Sequence, residues 1–391
     1  MSAKPKVLII STFYPQKNLL QYCQFVHEEA KALARRGYDI TVINPRHDIS
    51  SVEQWNLEGI DIFCLPYRTW RTNYSYIINS IFLFQALKSL GRDFYLPFDF
   101  IHVHNCLPEG NAALLLKKEF ALSIPMAVQI HDPNIYKGAY IRLLFAKKIF
   151  YNRCRAIYRD FDWCIGVSDL VSNLIRSGLP AASHSKVITA YNGYNPSIFN
   201  TKKRNTAPAP DRPVRILFVG NFIEWKGIRT LIHAYCQSYH GFSFPTELWI
   251  LGRGILEKEL RKIVHSYNMD DHISFKGYVL PEKVAEYMCQ CDIYAMPSTF
   301  EAFGCVYLEA MACGLPCIAC TEQGIAEIID NNVHGLLIPP KDLPSLKQAL
   351  IKMVNNPSLR EYFKQNIADI IPNYTWDHAV APIDRIYRQS L

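Results

Sequence analysis

The segment VLIIST (Val7–Thr12) is a short run of branched apolar residues closed by two hydroxyls. FVHEEAKALARRG (Phe25–Gly37) and DITVINP (Asp39–Pro45) follow it. A run of this length with no polar alternation reads as a strand buried on both faces of a parallel sheet. The next segment spaces its apolar residues at helical intervals and ends in Gly37, a helix stop. The third returns to a strand. DIFCLP (Asp61–Pro66), DFIHVHN (Asp99–Asn105), AVQIHD (Ala127–Asp132) and DWCIGVSD (Asp162–Asp169) read as further strands. Helical stretches such as SYIINSIFLFQALKSLG (Ser75–Gly91) and NAALLLKKEF (Asn111–Phe120) lie between them, and Ser168-Asp169 offers a cap for another helix. Strand–helix repetition at this spacing predicts an α/β fold, a doubly wound parallel sheet with helices on both faces.

The pattern then breaks and restarts. TKKRNTAPAPDRP (Thr201–Pro213) is polar, carries three prolines and has no apolar period, so it reads as a linker. RILFVGN, ELWILGRG, HISFKG, DIYAMPS and LPCIAC (ending at Cys320) then read as strands, with helices between them, one from about Phe303 to Cys313. The reading is two Rossmann-like units: residues 1–205, a linker at 206–213, a second unit at 214–374, and a C-terminal helix at 375–391 that returns to brace the first unit. Open parallel sheets bind ligands beyond the carboxyl ends of their strands, so the expected site is a cleft between the two.

Composition narrows the classes. Of 391 residues, 49% are hydrophobic and 20% charged, a globular balance with ample core. The chain has no apolar tract long enough to span a membrane, and its first apolar run is too short for a signal peptide. The 12 cysteines fall mostly within apolar runs and read as reduced core thiols. Cys313, Cys317 and Cys320 lack a fourth ligand at zinc-site spacing, so no metal is expected. Residues 1–212 hold 26 Lys and Arg against 16 Asp and Glu, while the rest hold 16 against 19. One half therefore suits an anionic partner. No nucleic-acid motif is present, so a membrane surface or a phosphate-bearing acceptor fits better.

The sharpest chemical feature is Glu301-Ala-Phe-Gly-Cys-Val-Tyr-Leu-Glu309, between the strand DIYAMPS and a helix ending at Gly314. Glu301 falls in a loop at a strand's carboxyl end. Gly304 opens a helix whose free N–H groups suit a diphosphate. Glu309 lies among Leu308, Ala310 and Met311, where a carboxylate needs partners such as the vicinal hydroxyls of a ribose. On charge spacing alone, the reading favoured is Glu301 as a solvated loop residue and Glu309 as a surface helix residue.

This E-x7-E element, with AMACGLPCIA (Ala310–Ala319) after it, resembles retaining glycosyltransferase family 4, of the GT-B fold. FVHEEAKALARRGYDITVI, DFIHVHN, AVQIHD, GVSDLVSNLIRSGLP with KVITAYNGYNPSIF, ILFVGNFIEWKGIRTLIHAY and EQGIAEIIDNNVHGLLIPPKD resemble its other segments in order, across nearly the whole chain. The resemblance implies an acceptor-binding first domain and a donor-binding second domain. It implies transfer of a sugar from a nucleotide-diphosphate sugar to a glycan or lipid-linked acceptor, with retention of configuration and without a metal or other cofactor. His131 and Glu301 become the catalytic candidates. Lys226 would bind the diphosphate, Glu309 the ribose, and the Gly324–Glu327 turn would approach sugar and phosphates. Phe303 and Gly304 fall on the same donor-binding stretch. Asn221 stands where the family often has Arg, and Arg253 is a candidate replacement. The family's glycine-rich loop after the first strand is YPQKNLLQYCQ, without glycine, and its glycine pair near the sugar is Gln323-Gly324. No Asp-x-Asp pair stands at the carboxyl end of a predicted strand, in keeping with metal independence.

The expected setting is cell-surface polysaccharide or glycolipid synthesis in the cytoplasm, peripheral to the membrane. Lys137–Arg159 carries seven Lys and Arg, no acid and several aromatics. It reads either as a membrane-facing segment or as an ordinary helix with a solvated basic side. Tyr74–Leu90, with Arg68 and Arg71 before it, is a second such surface. Two rivals share the architecture: a nucleotide-sugar epimerase, and a non-catalytic nucleotide-sugar-binding partner.

Overall fold

A computed structural model describes residues 4–19, 23–70, 76–131, 144–204 and 212–391. The proline-rich linker therefore lies mostly outside the described residues, as do residues 137–143 of the basic segment, Arg71, Tyr74 and part of the loop after the first strand. The chain forms two compact units, Met1–Asn192 with Trp376–Leu391, and Gly193–Thr375.

The first unit is built on eight strands: β1 Lys6–Ile10, β2 Asp39–Arg46, β3 Glu53–Leu57, β4 Ile60–Pro66, β5 Phe100–His104, β6 Met126–Ile130, β7 Trp163–Gly166 and β8 Val187–Thr189. Their order is β3-β4-β2-β1-β5-β6-β7-β8. Every pairing is parallel except the β3–β4 hairpin. Helices α1 Gln24–Arg35, α2 Tyr76–Lys88, α3 Arg92–Tyr95, α4 Asn111–Glu119, α5 Leu144–Asp160 and α6 Asp169–Ser177 belong to this unit. α1 buries Val26, Ala30 and Leu33 along one stripe. It stops as expected, because Gly37 takes φ 103° and its N–H returns to the Ala34 carbonyl at 3.0 Å. Ser168 caps α6 by accepting the Val171 N–H.

The second unit carries β9 Val214–Val219, β10 Thr246–Leu251, β11 Ile273–Gly277, β12 Ile293–Ala295, β13 Cys317–Cys320 and β14 Gly335–Ile338. They are all parallel, in the order β11-β10-β9-β12-β13-β14. Its helices are α7 Ile228–Ser238, α8 Glu257–Ser266, α9 Pro281–Gln290, α10 Cys305–Ala312, α11 Leu343–Asn355 and α12 Pro357–Ile370. Counted within the unit, this is the 3-2-1-4-5-6 order of a dinucleotide-binding sheet, which places the switch point between β9 and β12. In the first sheet the same reversal falls between β1 and β5.

The expected single C-terminal helix from Thr375 is two helices, α13 Trp376–Ala379 and α14 Ala381–Ser390. Pro382 lacks an N–H and so fits only the first turn of a new helix. Trp376, Val380, Ile383, Ile386 and Tyr387 enter the apolar core formed by β1, β2 and α1. Asp384 locks this packing, accepting from Tyr38 Oη at 2.8 Å, Arg36 Nη1 at 3.0 Å and Arg388 Nε at 2.9 Å. Burial opposes its charge, but these three donors prevail and hold the carboxyl below its ordinary pKa. All 12 cysteines are free thiols, ten of them buried.

Candidate functional site

In the second unit the strand ends open into loops that are tied to one another. The Phe222 N–H donates to the Arg253 carbonyl at 2.9 Å, and the Thr299 N–H to the Trp225 carbonyl at 2.8 Å. Ser298 Oγ donates to Gln323 Oε1 at 3.1 Å. Two glycines allow the backbones to meet. A Cβ on Gly227 (φ 70°) would stand 2.0 Å from the Pro297 carbonyl oxygen, and one on Gly324 would stand 2.1 Å from that of Ala302. No other residue fits such approaches without moving a loop.

This framework fixes the switch point. Lys226 ends a short 3-10 turn after β9, and Glu301 lies in the loop after β12. Lys226 Nζ donates to Glu301 Oε1 at 2.6 Å. Glu301 is only 9% exposed. Gly304 is the N-cap of α10 with φ 93°, so the helix begins at the end of this loop. Glu309, the other acid of the motif, is half-buried along α10. Burial pushes its carboxyl up to about 7, and no hydrogen-bond donor reaches it among the described residues.

The remaining sequence candidates of this unit differ in how they are engaged. Asn221 is exposed after β9. The Arg253 guanidinium lies 4.6 Å from the Tyr278 ring centroid, a cation–π contact that holds it on the β11 side. Phe303 is 1% exposed, so its side chain supports the loop from beneath. The Gly324 N–H is engaged by the Glu301 carbonyl at 3.3 Å and is not free for a ligand. Glu327 closes the turn and is exposed.

His131 belongs to the first unit, one residue beyond β6. Its Nε2 lies 2.8 Å from His104 Nδ1, and its ring is 4.8 Å from that of Phe25. Burial, reinforced by His102, lowers its pKa to about 3, so the imidazole is neutral at pH 7. At the switch point of this sheet, Thr12 donates through both its N–H and its Oγ1 to Glu109. Burial raises Glu109 to about 7 against the pull of those bonds, and its Oε2 has no partner among the described residues.

Sequence reasoning missed this polar group and a second one. Glu29, His102, His104 and Gln129 are all buried in the first unit. Two signals were available. His102 and His104 alternate onto one face of their strand, and Glu29 falls between Val26 and Leu33 on the apolar stripe of α1.

Two parallel sheets of this order, each with its polar groups at a switch point, define the GT-B class. Residues 24–198 match the glycosyltransferase family 4 and residues 199–369 match the glycosyl transferases group 1. The chain belongs to this family of glycosyltransferases. An uncharacterised glycosyltransferase of Methanocaldococcus jannaschii is 28% identical to it over 388 residues, 98% of each chain. The structure of sucrose-phosphate synthase from Thermosynechococcus elongatus matches with a TM-score of 0.80 and 21% identity, over 99% of each chain. Anabaena HepE in complex with UDP-glucose matches with a TM-score of 0.72 and 15% identity, over 98% of this chain and 99% of that one.

Proposed function

We propose that this glycosyltransferase takes its sugar from a nucleoside diphosphate sugar held at the switch point of the second unit, and passes it with retention to a glycan or lipid-linked acceptor, without a metal. The observation that carries the reading is the Lys226–Glu301 pair together with the other motif carboxyl, Glu309, which is half-buried and lacks a donor among the described residues. A ribose diol supplies the two hydrogen bonds Glu309 lacks. An ammonium has three donors, so Lys226 can keep Glu301 and also bind a phosphate oxygen. Glu301, held in place by Lys226, faces the sugar hydroxyls. As the glycosidic bond breaks, charge grows on the diphosphate. Lys226 and the N-terminal turn of α10 stand ready to stabilise it without reorganisation. The departing phosphate takes the acceptor's proton on the same face of the sugar.

A thermal-shift panel of nucleotide sugars tests the donor. A ligand at about 100 times its Kd stabilises by about 3 kcal/mol. Absence of any shift in wild type, or an undiminished shift in Glu309→Gln, would sink the reading. The anomeric configuration of the product, read by NMR, tests retention. Undiminished turnover in EDTA tests metal independence.

The acceptor side is proposed to meet an anionic membrane. Trp70, Ile78, Ile81 and Ile149 are exposed apolar side chains, and a 5.8 Å contact between the Tyr76 and Phe150 rings joins α2 to the basic α5. Among the described residues no helix is long and apolar enough to cross a membrane. Peripheral attachment by apolar anchors and basic charge is the mode this surface suits. Sedimentation with vesicles containing anionic lipid should weaken at high salt. No binding at low salt refutes it.

A further inference from the structure

Beneath His131 the first unit carries a buried file of polar groups that ordinary core packing does not require. His131 Nε2 meets His104 Nδ1 at 2.8 Å. The other nitrogen of His104, Nε2, faces Glu29 Oε1 at 3.5 Å. Glu29 Oε2 accepts from Gln129 Nε2 at 2.8 Å. His102, stacked on His104, turns its Nδ1 to the Tyr387 hydroxyl at 2.7 Å. Glu29 Oε1 and His104 Nε2 are each fully buried, and neither has a hydrogen-bond partner among the described residues. Unpartnered polar atoms in a core are costly, and these two face each other.

We propose that Glu29 and His104 are positioning residues that hold His131 as its Nδ1–H tautomer, so that it offers a hydrogen-bond donor to the sugar or acceptor. One proton between Glu29 Oε1 and His104 Nε2 satisfies both atoms. Glu29 Oε2 already accepts from an amide, so the proton of a neutral acid resides on Oε1. Its O–H donates to His104 Nε2, which leaves the His104 proton on Nδ1. That N–H donates to His131 Nε2, and the remaining His131 proton is therefore on Nδ1. An ionised Glu29 would reverse every step and leave a bare lone pair at His131 Nδ1. The surroundings favour the neutral chain. Among the described residues, the polar groups facing Glu29 and His104 from β5, β6 and the residue after it, and α14 are His102, Gln129, His131 and Tyr387, none of them cationic. Burial raises Glu29 to about 8 and lowers His102 and His104. The tautomer of an imidazole is set by the bond its other nitrogen makes, and here that rule passes through two rings.

Glu29, His102 and His104 could be read as ligands for a divalent cation. The rings argue against it. His102 and His104 stack with centroids 4.6 Å apart and planes 24° apart. Near-parallel rings direct their in-plane lone pairs alongside each other, not toward a common point about 2 Å from both.

The functional consequence rests on the proposed transfer reaction and on His131 facing its site, as the family resemblance implies; the tautomer does not. The test is long-range proton–nitrogen NMR of the full chain labelled with 15N-histidine, with His131→Phe used to assign the signal. Wild type should show His131 protonated at Nδ1. Glu29→Gln keeps a donor where Oε1 stood and should preserve both the tautomer and kcat. Glu29→Leu removes the donor and should give a tautomer mixture, with kcat about ten- to a hundred-fold lower at unchanged donor KM. A His131 protonated at Nε2 in wild type, a tautomer reversed by Glu29→Gln, or one zinc per chain in elemental analysis of the purified protein overturns the inference. If instead the tautomer responds as stated but His131→Ala turns over normally, the placement of His131 in the site fails and the relay stands.

Discussion

Glu309→Gln should strengthen the fold while it weakens the function. The carboxyl lies at about 7 in the folded chain against an ordinary 4.5, raised by burial. Its sign is that of a group harder to ionise when folded. Stability is intact below the unfolded value, declines as pH rises through both, and is fully reduced above about 7. A shift of this size corresponds to about 3 kcal/mol at pH 8 and about 1 kcal/mol at pH 5. A neutral amide removes that penalty. Urea titration should therefore show the variant more stable at pH 8 by up to about 3 kcal/mol, and by far less at pH 5. In thermal unfolding that is about 6–12 °C for a unit of this size. Donor binding should move the other way. Hydrogen bonds to a charged acceptor contribute about 1.5–3 kcal/mol each, so exchanging carboxylate for amide should cost about ten- to a hundred-fold in affinity. In wild type, donor affinity should fall as pH drops below 7, because binding selects the ionised carboxyl. Equal or lower stability of the variant at pH 8, or undiminished donor affinity, refutes the reasoning.

Lys226→Ala should reduce turnover about 10²–10³-fold, measured as nucleoside diphosphate release, because a preorganised charge is lost where charge develops. Gly227→Ala should destabilise by about 1–3 kcal/mol in a denaturant titration and abolish the donor-induced thermal shift, since its Cβ would meet the Pro297 carbonyl at 2.0 Å. Asp384→Ala removes the acceptor of Tyr38, Arg36 and Arg388. It should cost about 1–3 kcal/mol and leave donor affinity unchanged. Because the Asp384 pKa is depressed in the folded state, its stabilisation in wild type is present above the ordinary carboxyl value and is lost as pH falls through the depressed one. A variant that loses stability equally at pH 3 and pH 7 contradicts that assignment.

What the sequence made legible follows from what is local. β1 and β9 carry contiguous apolar runs, VLII and ILFV, β2 carries Ile40, Val42 and Ile43, and Gly37 ends α1 through its own left-handed backbone. Glu301, Gly304 and Glu309 are spaced within nine residues, so their place at one strand end and helix start needs no distant information. β3, β8 and β14 were not legible. EQWNL is polar and stands at the sheet edge, where pairing with β4 supplies its order. VIT and GLLI are too short for a period to show. The approach of Gly227 to Pro297 and of Gly324 to Ala302 depends on loops far apart in the chain. So does the file from Glu29 through His104 to His131, which draws on α1, β5 and the end of β6. Each residue carried a local oddity, a charge on an apolar stripe or paired imidazoles on one strand face, but only the sheet order identifies the neighbours.

On the proposed function, each sheet brings a different kind of electrostatics to the reaction. The second presents an ion pair at its switch point, Lys226 with Glu301. The first presents groups from which burial removes charge: His131 and His102 pushed down to about 3, His104 pushed down, Glu29 pushed up to about 8 and Glu109 to about 7. A diphosphate is a dianion at pH 7 and needs a cation to replace its water. Sugar and acceptor hydroxyls are neutral, and neutral donors and acceptors match them without the cost of desolvating a charge. On the proposed function this is the division transfer requires. The leaving group gathers charge beside a fixed ammonium, while the hydroxyls being oriented meet neutral imidazoles. A cation introduced into the first file should therefore be harmful even where it fits. His104→Lys buries an ammonium against neutral partners, and its remedy is to ionise Glu29. That restores an ion pair but leaves His131 without the donor that fixes its tautomer. The variant should fold, bind donor as wild type does, and show kcat about ten- to a hundred-fold lower. Full activity in His104→Lys would show that the neutrality of this file has no part in transfer.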